Sequence, residues 1–317
     1  MTAPTNTKTS YDVNGIREDL SDVIYNVSPE ETPFLSSIAK VKATNTLHEW
    51  QADTLRAAVD TNAHVEGDDT VAEARASTAR LGNYTQIFKN AVSTSGTDGS
   101  LDLAGRGKLM SYEIVKVGQE QKLDMEMSLF ANKARVAGNS TTARVLGGLG
   151  AFVKTNVTNI GTGGANPTGT VAGATVRTDG TQTVFSQADF DLAMQTIWAE
   201  GGKPDSVYLS SFQMNKALGF VGNNNQRSTG ATGEVSSLLN VYMTPWGSVS
   251  FIPSRNNRAR DVWIIEKDKL ALAALRPMKN EALAKTGDNE KRQVVGECTL
   301  VVRNEKALGL IADCTTA

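Results

Sequence analysis

One segment constrains this chain more than any other. Two stretches that alternate polar and apolar side chains, LHEWQAD (47–53) and YTQIFKNAVSTS (84–95), flank RAAVDTNAHVEGDDTVAEARASTAR (56–80). Alternation of that kind marks extended strands. The run between them is rich in Ala, Thr and charge, with Gly67–Asp68 as its turn signal. A two-stranded ribbon of this length carries too little apolar surface to be stable alone. It must lie on something, and a neighbouring subunit is the economical answer.

The flanking sequence reads as arm, helix, mixed middle and closing sheet. In NVSPEETPFLSSI (26–38), Ser28, Pro29 and Glu31 have the spacing of a capping box with proline at the first helical position. Thr32–Pro33 repeats the pattern ahead of Phe34, Leu35 and Ile38. The Glu30–Glu31 pair is therefore read as shaping the chain, since an acid pair needs a pocket and a partner. From Leu103 to Gly138 the pattern turns helical, with Leu123, Met127, Phe130 and Ala134 as the stripe and Gly138–Asn139 as the stop. That helix would be about 50 Å long. Residues 145–183, poor in charge and rich in Gly, Thr and Asn, read as loop or irregular strand. Ser186 and Asp189 form a second capping box, opening a helix whose buried face is Phe190, Met194, Ile197 and Trp198, closed by Gly201–Gly202. DSVYLSSFQMNKALGF (205–220) reads as strand, serine cap and helix, and GNNNQRSTGATG (222–233) as a polar loop. The last third is strand-like, with Val294, Gly296, Cys298, Leu300 and Val302 alternating as in a half-buried strand.

Chemistry is hard to find. The 317 residues carry a net charge of -2, so no strong field attracts nucleic acid or an anionic membrane. No apolar run approaches the roughly 20 residues of a bilayer span, and the N-terminus lacks a secretory signal. Cys298 and Cys314 sit in apolar stretches and read as buried reduced thiols, which points to an intracellular chain. His48 and His64 lack the companions of a zinc site. GRGKLM (105–110) fails as a phosphate loop, because Asp102 stands where a glycine is required and Leu109 where Ser or Thr is required. The glycine-rich 161–175 run lacks a strand–turn–helix context. Glu66 to Asp69 lacks the alternating ligands of a calcium loop. Arg255, Arg258 and Arg260 are read as a charged surface turn, with no aromatic platform among them. The residues thus assign no catalytic, cofactor-binding or metal site, and no enzyme activity.

Three blocks resemble the major capsid proteins of tailed bacteriophages. REDLSDVIYNVSPEETPFLSSI (17–38) is similar to that family's N-terminal arm signature. RGKLMSYEIVKVGQEQKLDMEMSLFANKA (106–134) is similar to its spine helix. LRPMKNEALAKTGDNEKRQVVGECTLVVRNEKALGLI (275–311) looks like its closing segment. The resemblance runs from about Asp12 to Ile311. It implies an α+β chain with the Hong Kong 97-type shell fold. The parts would be an N-terminal arm (1–44), an extended hairpin loop (45–97), a peripheral domain with the spine helix (98–183), an axial domain (184–252), and the peripheral-domain sheet and C-terminus (253–317). The implied function is self-assembly, as pentamers and hexamers, into an icosahedral or prolate shell enclosing the double-stranded DNA of a tailed phage. The chief partner would be further copies of this chain. Portal, scaffold and decoration proteins are further candidates, with non-specific contact to packaged DNA, no membrane, no cofactor, and assembly in the host cytoplasm before residence in the virion. Some relatives join neighbours through a lysine of the extended loop and an asparagine. No lysine lies between Lys42 and Lys89 here, so a non-covalent shell is expected. A chain opening at Met1 raises the expectation that any scaffold is a separate protein. The alternatives are an encapsulin-like nanocompartment shell, a soluble enzyme with an unusual insertion, or a tail component.

Overall fold

A computed structural model describes residues 31–69, 72, 74, 75, 77–101, 108–220, 228, 229, 235, 236 and 241–316. The Ser28–Pro29 cap, the start of GRGKLM and most of the 222–233 loop lie outside these residues.

In chain order the elements are α1 (Pro33–Ser37), β1 (Ala39–Lys42), β2 (Leu47–Ala52), β3 (Ala79–Tyr84), β4 (Gln86–Ser95), α2 (Gly96–Ser100), α3 (Leu109–Phe130), α4 (Leu149–Phe152), β5 (Val157–Asn159), α5 (Gln187–Ala199), β6 (Ser206–Leu209), α6 (Ser211–Leu218), β7 (Ser228–Thr229), β8 (Val235–Ser236), β9 (Val241–Thr244), β10 (Gly247–Pro253), β11 (Val262–Ile265), β12 (Leu270–Ala282), β13 (Asn289–Val302) and β14 (Gly309–Ala312). Two sheets organise the body. One has the order β1-β12-β13-β4, the other β5-β14-β11-β6-β10-β9, and β2 and β3 form a separate two-stranded ribbon. One apolar cluster gathers α1, α3, α4 and the long β12–β13 hairpin. A second gathers α5 and the inner strands of the six-stranded sheet. That sheet joins β6 and β10 from the 184–252 stretch to β11 and β14 from beyond it.

Several expectations shift against this frame. The long helix is α3, 22 residues or about 33 Å, and it ends at Phe130. Gly138, at φ +71, turns the chain between Val136 and Val145, which pair with each other. The helix stops earlier because Gly148 packs against the Ala131 carbonyl too closely for any side chain, and Asn132 hydrogen-bonds both ways with the Arg177 backbone. Its buried face is Met110, Val117, Gln121, Met125, Glu126, Leu129 and Phe130, while Met127 of the expected stripe is 59% exposed. In α5 the capping box of Ser186 and Asp189 is present and Gly201 sits at φ +89, but Trp198 faces outward. The inward stripe, Phe190, Ala193, Met194 and Ile197, is already a complete i, i+3, i+4, i+7 set. Thr32 precedes α1 without a side-chain cap. The 145–183 run contributes α4, β5 and the fully buried Leu149 and Val153. Residues 294–302 of β13 are buried on both faces, because α3 covers one side and the ribbon root with the 143–148 loop covers the other. The partner of LHEWQAD is β3, and β4 leaves at Thr85 to pair with β13 instead.

Candidate assembly surfaces

The arm is anchored by a carboxylate from another element. Phe34 is fully buried, its ring 4.6 Å from Phe130 and 5.3 Å edge-on to Tyr208. Glu126, on α3 and fully buried, accepts the Leu35 N–H at 3.1 Å and the Ser254 hydroxyl at 3.2 Å. A free N–H in the first turn of a helix needs such an acceptor, so Glu126 performs the capping that Thr32 does not. Burial pushes the Glu126 carboxyl above its ordinary range, and the Leu35 and Ser254 hydrogen bonds oppose that rise. Beyond the helix, β1 pairs in parallel with β12, Ala39 opposite Ala271 and Lys42 opposite Ala274.

The ribbon is fixed at its root and bare beyond it. The Asn83 side chain, fully buried, donates to the carbonyls of Gly147 and Leu300 at 3.0 and 2.9 Å and accepts the Gly147 N–H at 2.8 Å. Thr85 donates to Glu297, which is also held by Arg144 at 2.6 Å and Arg276 at 3.0 Å. Arg135 hydrogen-bonds the Gly82 carbonyl and lies 5.6 Å over the Tyr84 ring. Past Ala52 this changes completely. Residues 53–69 are all exposed, with Leu55 at 96% and Val65 at 79%. Gly67, at φ +83, makes the expected turn, closed by the Asp68 N–H on the Val65 carbonyl at 3.1 Å.

The arginine turn is a correction. Arg258 and Arg260, read as surface charges, join Arg177 in a cluster with Asp179, Asp261 and Asp313. Arg177 and Asp313 are buried. Asp313 occupies the left-handed region at φ 68, where it also accepts the Gly180 N–H at 2.9 Å. Burial would raise the Asp313 carboxyl, but the hydrogen bonds from Arg177, Gly180 and Arg260 outweigh it and hold the group below its ordinary range. For Asp261 burial wins over Arg258 and Arg177, and its pKa rises to about 6. The sequence signal available for the cluster was Asp179, Asp261 and Asp313, each isolated in the chain. Arg255 alone of the three arginines remains on the surface.

Other flagged groups are separate. His48 lies in β2 with its ring 6.1 Å from Trp50, and His64 sits in the exposed ribbon facing Asp68 at 3.4 Å. Among the described residues no group of three or more His, Cys, Asp or Glu could hold a metal ion, and no helix is long and apolar enough to cross a membrane. Cys298 and Cys314 are free and buried, and burial pushes the Cys298 thiol up to about 12.

A spine helix crossing a long β-hairpin, a second sheet-and-helix body, a docked arm and a protruding ribbon together make the Hong Kong 97-type fold of phage capsid proteins. Solved structures agree on that fold. The chain in "Cyanophage A-1(L) capsid asymmetric unit" matches with a TM-score of 0.65 at 15% identity, covering 99% of this chain and 100% of that one. One from Mycobacterium phage Cain matches with a TM-score of 0.61 at 12% identity, covering 98% and 100%. A family model described as SU10 major capsid protein matches residues 3–315, and the chain belongs to that family. The major capsid protein of Escherichia phage Phieco32 is 28% identical over 336 residues, covering 95% of each chain. This is a structural capsid protein of a phage virion, and not an enzyme. The nanocompartment, soluble-enzyme and tail-component alternatives are not favoured.

Proposed function

We propose that copies of this chain close into pentamers and hexamers, and that these join into an icosahedral or prolate shell around double-stranded DNA. The observation that carries this reading is the ribbon. Its root is locked by Asn83, Thr85 and Arg135, yet every residue of 53–69 is exposed to solvent. A rigid base with a bare extension suits a strut laid across a neighbour. Head-to-tail contacts of this kind close into rings. Each can be modest, because several engaged together multiply through effective concentration.

In this reading 1–44 is the arm, 45–97 the extended loop and 98–183 the peripheral part with α3. Residues 184–252 form most of the axial domain, and 253–317 return to the peripheral sheet, with β11 and β14 bridging the two. The near-neutral charge suits a container whose wall should not bind phosphates tightly, so contact with packaged DNA is non-specific. Portal, scaffold and decoration proteins complete the particle, and assembly takes place in the host cytoplasm. Neighbours are held without covalent links, since the stretch between Lys42 and Lys89 carries Arg56, Arg75 and Arg80 and no lysine, and guanidinium forms no isopeptide. Negative-stain imaging of the expressed protein tests the whole reading. Closed shells are expected, and a uniform population of soluble monomers would overturn it. Boiled, reduced shells should run as single chains on a denaturing gel, and ladders would overturn the non-covalent claim.

A further inference from the structure

At the C-terminal end of α3 the surface opens into a groove of ≈ 470 Å³, with Met127, Lys133, Arg255 and Arg258 among its walls. Its charge is uneven. Arg258 is satisfied by Asp179 and Asp261, within a cluster where three arginines meet three aspartates. The exposed side chains of Lys133 and Arg255 have no acidic partner among the described residues. The groove therefore presents two uncompensated cations beside an exposed apolar side chain, Met127.

The ribbon tip has the opposite character. HVEGDD (64–69) places Glu66, Asp68 and Asp69 around the Gly67 turn, and neither lysine nor arginine occurs between Arg56 and Arg75. None of the three carboxylates pairs with a lysine or arginine among the described residues, and Val65 beside them is 79% exposed. From Asp53 to Gly67 an extended chain spans about 50 Å. The radius of gyration of a compact chain of this length is about 20 Å. A ribbon of that length is long enough to extend past its own body to a neighbouring one.

We propose that the Val65–Asp69 turn of one copy docks in the Lys133/Arg255 groove of a neighbouring copy, with Val65 on Met127 and the carboxylates on the two cations. The proposal rests on the shell-forming reading above and names the surface that the ribbon covers. Exposed ion pairs are individually weak and screened by salt. Here the pair repeats with every subunit, so its effect on closure accumulates.

A charge swap in the full-length chain tests it. Lys133→Glu with Arg255→Glu, and separately Glu66→Lys with Asp69→Lys, should each lower the yield of closed shells by about tenfold at moderate salt. Combining all four changes should restore most of that yield, which also shows that the reversed chains fold. In assembled shells, Glu66→Cys with Arg255→Cys should give chains linked from copy to copy under mild oxidation, and Glu66→Cys with Lys154→Cys should not. The native thiols are buried and do not interfere. A swap no better than either half, or linkage confined within single chains, would overturn the docking while leaving the shell intact. Failure of the wild-type chain to form shells would instead remove the reading beneath it.

Discussion

Glu126 is a buried carboxylate whose ligands are a backbone N–H of the arm and a serine hydroxyl. Truncation to alanine strands both donors in the core, which costs about 1–3 kcal/mol. Glu126→Ala should therefore loosen the arm, with limited proteolysis cutting near 33–43 sooner than in wild type, while Glu126→Gln keeps more of the protection. Asp261 makes a pH prediction. Its pKa rises from 3.8 unfolded to about 6 folded. Its stabilising contribution is thus full below about pH 4 and lost as pH rises through about 6. Two units correspond to about 3 kcal/mol. Asp261→Asn removes this dependence, so its stability relative to wild type should be greater at pH 7.5 than at pH 4.5. Denaturant titrations at both values check it, and an unchanged difference would contradict the burial argument.

Among the elements, α1 and the ribbon root show how little chain fixes a large extension. Phe34 is the only aromatic residue of α1, and it sits against Phe130 and Tyr208. Removing a buried ring of this size costs about 3–5 kcal/mol. Phe34→Ala should lower the free energy of unfolding, read from denaturant titration, by that margin, and a loss under about 1 kcal/mol would mean that the site collapses around the gap. The root depends on polar side chains instead. Asn83 uses both ends of its amide, and Thr85 turns the chain from β3 into β4. That corner explains why alternation in 84–95 was misleading as to pairing. Alternation reports a strand and not its partner, which here is β13, with Thr85 bonded to the buried Glu297 where the pairing begins.

For the whole molecule, stability and assembly separate. The described residues of 54–78 are all exposed, so replacing this span with a short turn should cost the subunit little. The shortened chain should melt within a few degrees of wild type, yet form no closed shells by negative stain. Equal shell yields would place the assembly contacts elsewhere. Exposed apolar side chains follow the same division. Val115 and Met127 on α3, Trp198 on α5 and Leu55 on the ribbon are each more than half exposed. A pattern read from one chain assigns such residues to its own core, which is how Met127 and Trp198 came to be expected inside.

Much of the architecture was legible residue by residue. The ribbon turn at Gly67, the Ser186 capping box and the strands of the last third follow from local chemistry, which depends on near neighbours in the chain. The ordered series of arm, ribbon, spine helix and closing sheet, together with three resembling blocks, pointed to the shell fold. Other features joined residues far apart and left no local trace. Glu126 caps a helix some ninety residues away, as its bond to Leu35 shows, and Asp313 draws Arg177 and Arg260 out of what looked like separate loops. Burial and ion pairing depend on what lies opposite in space, so those assignments had to wait for the folded chain.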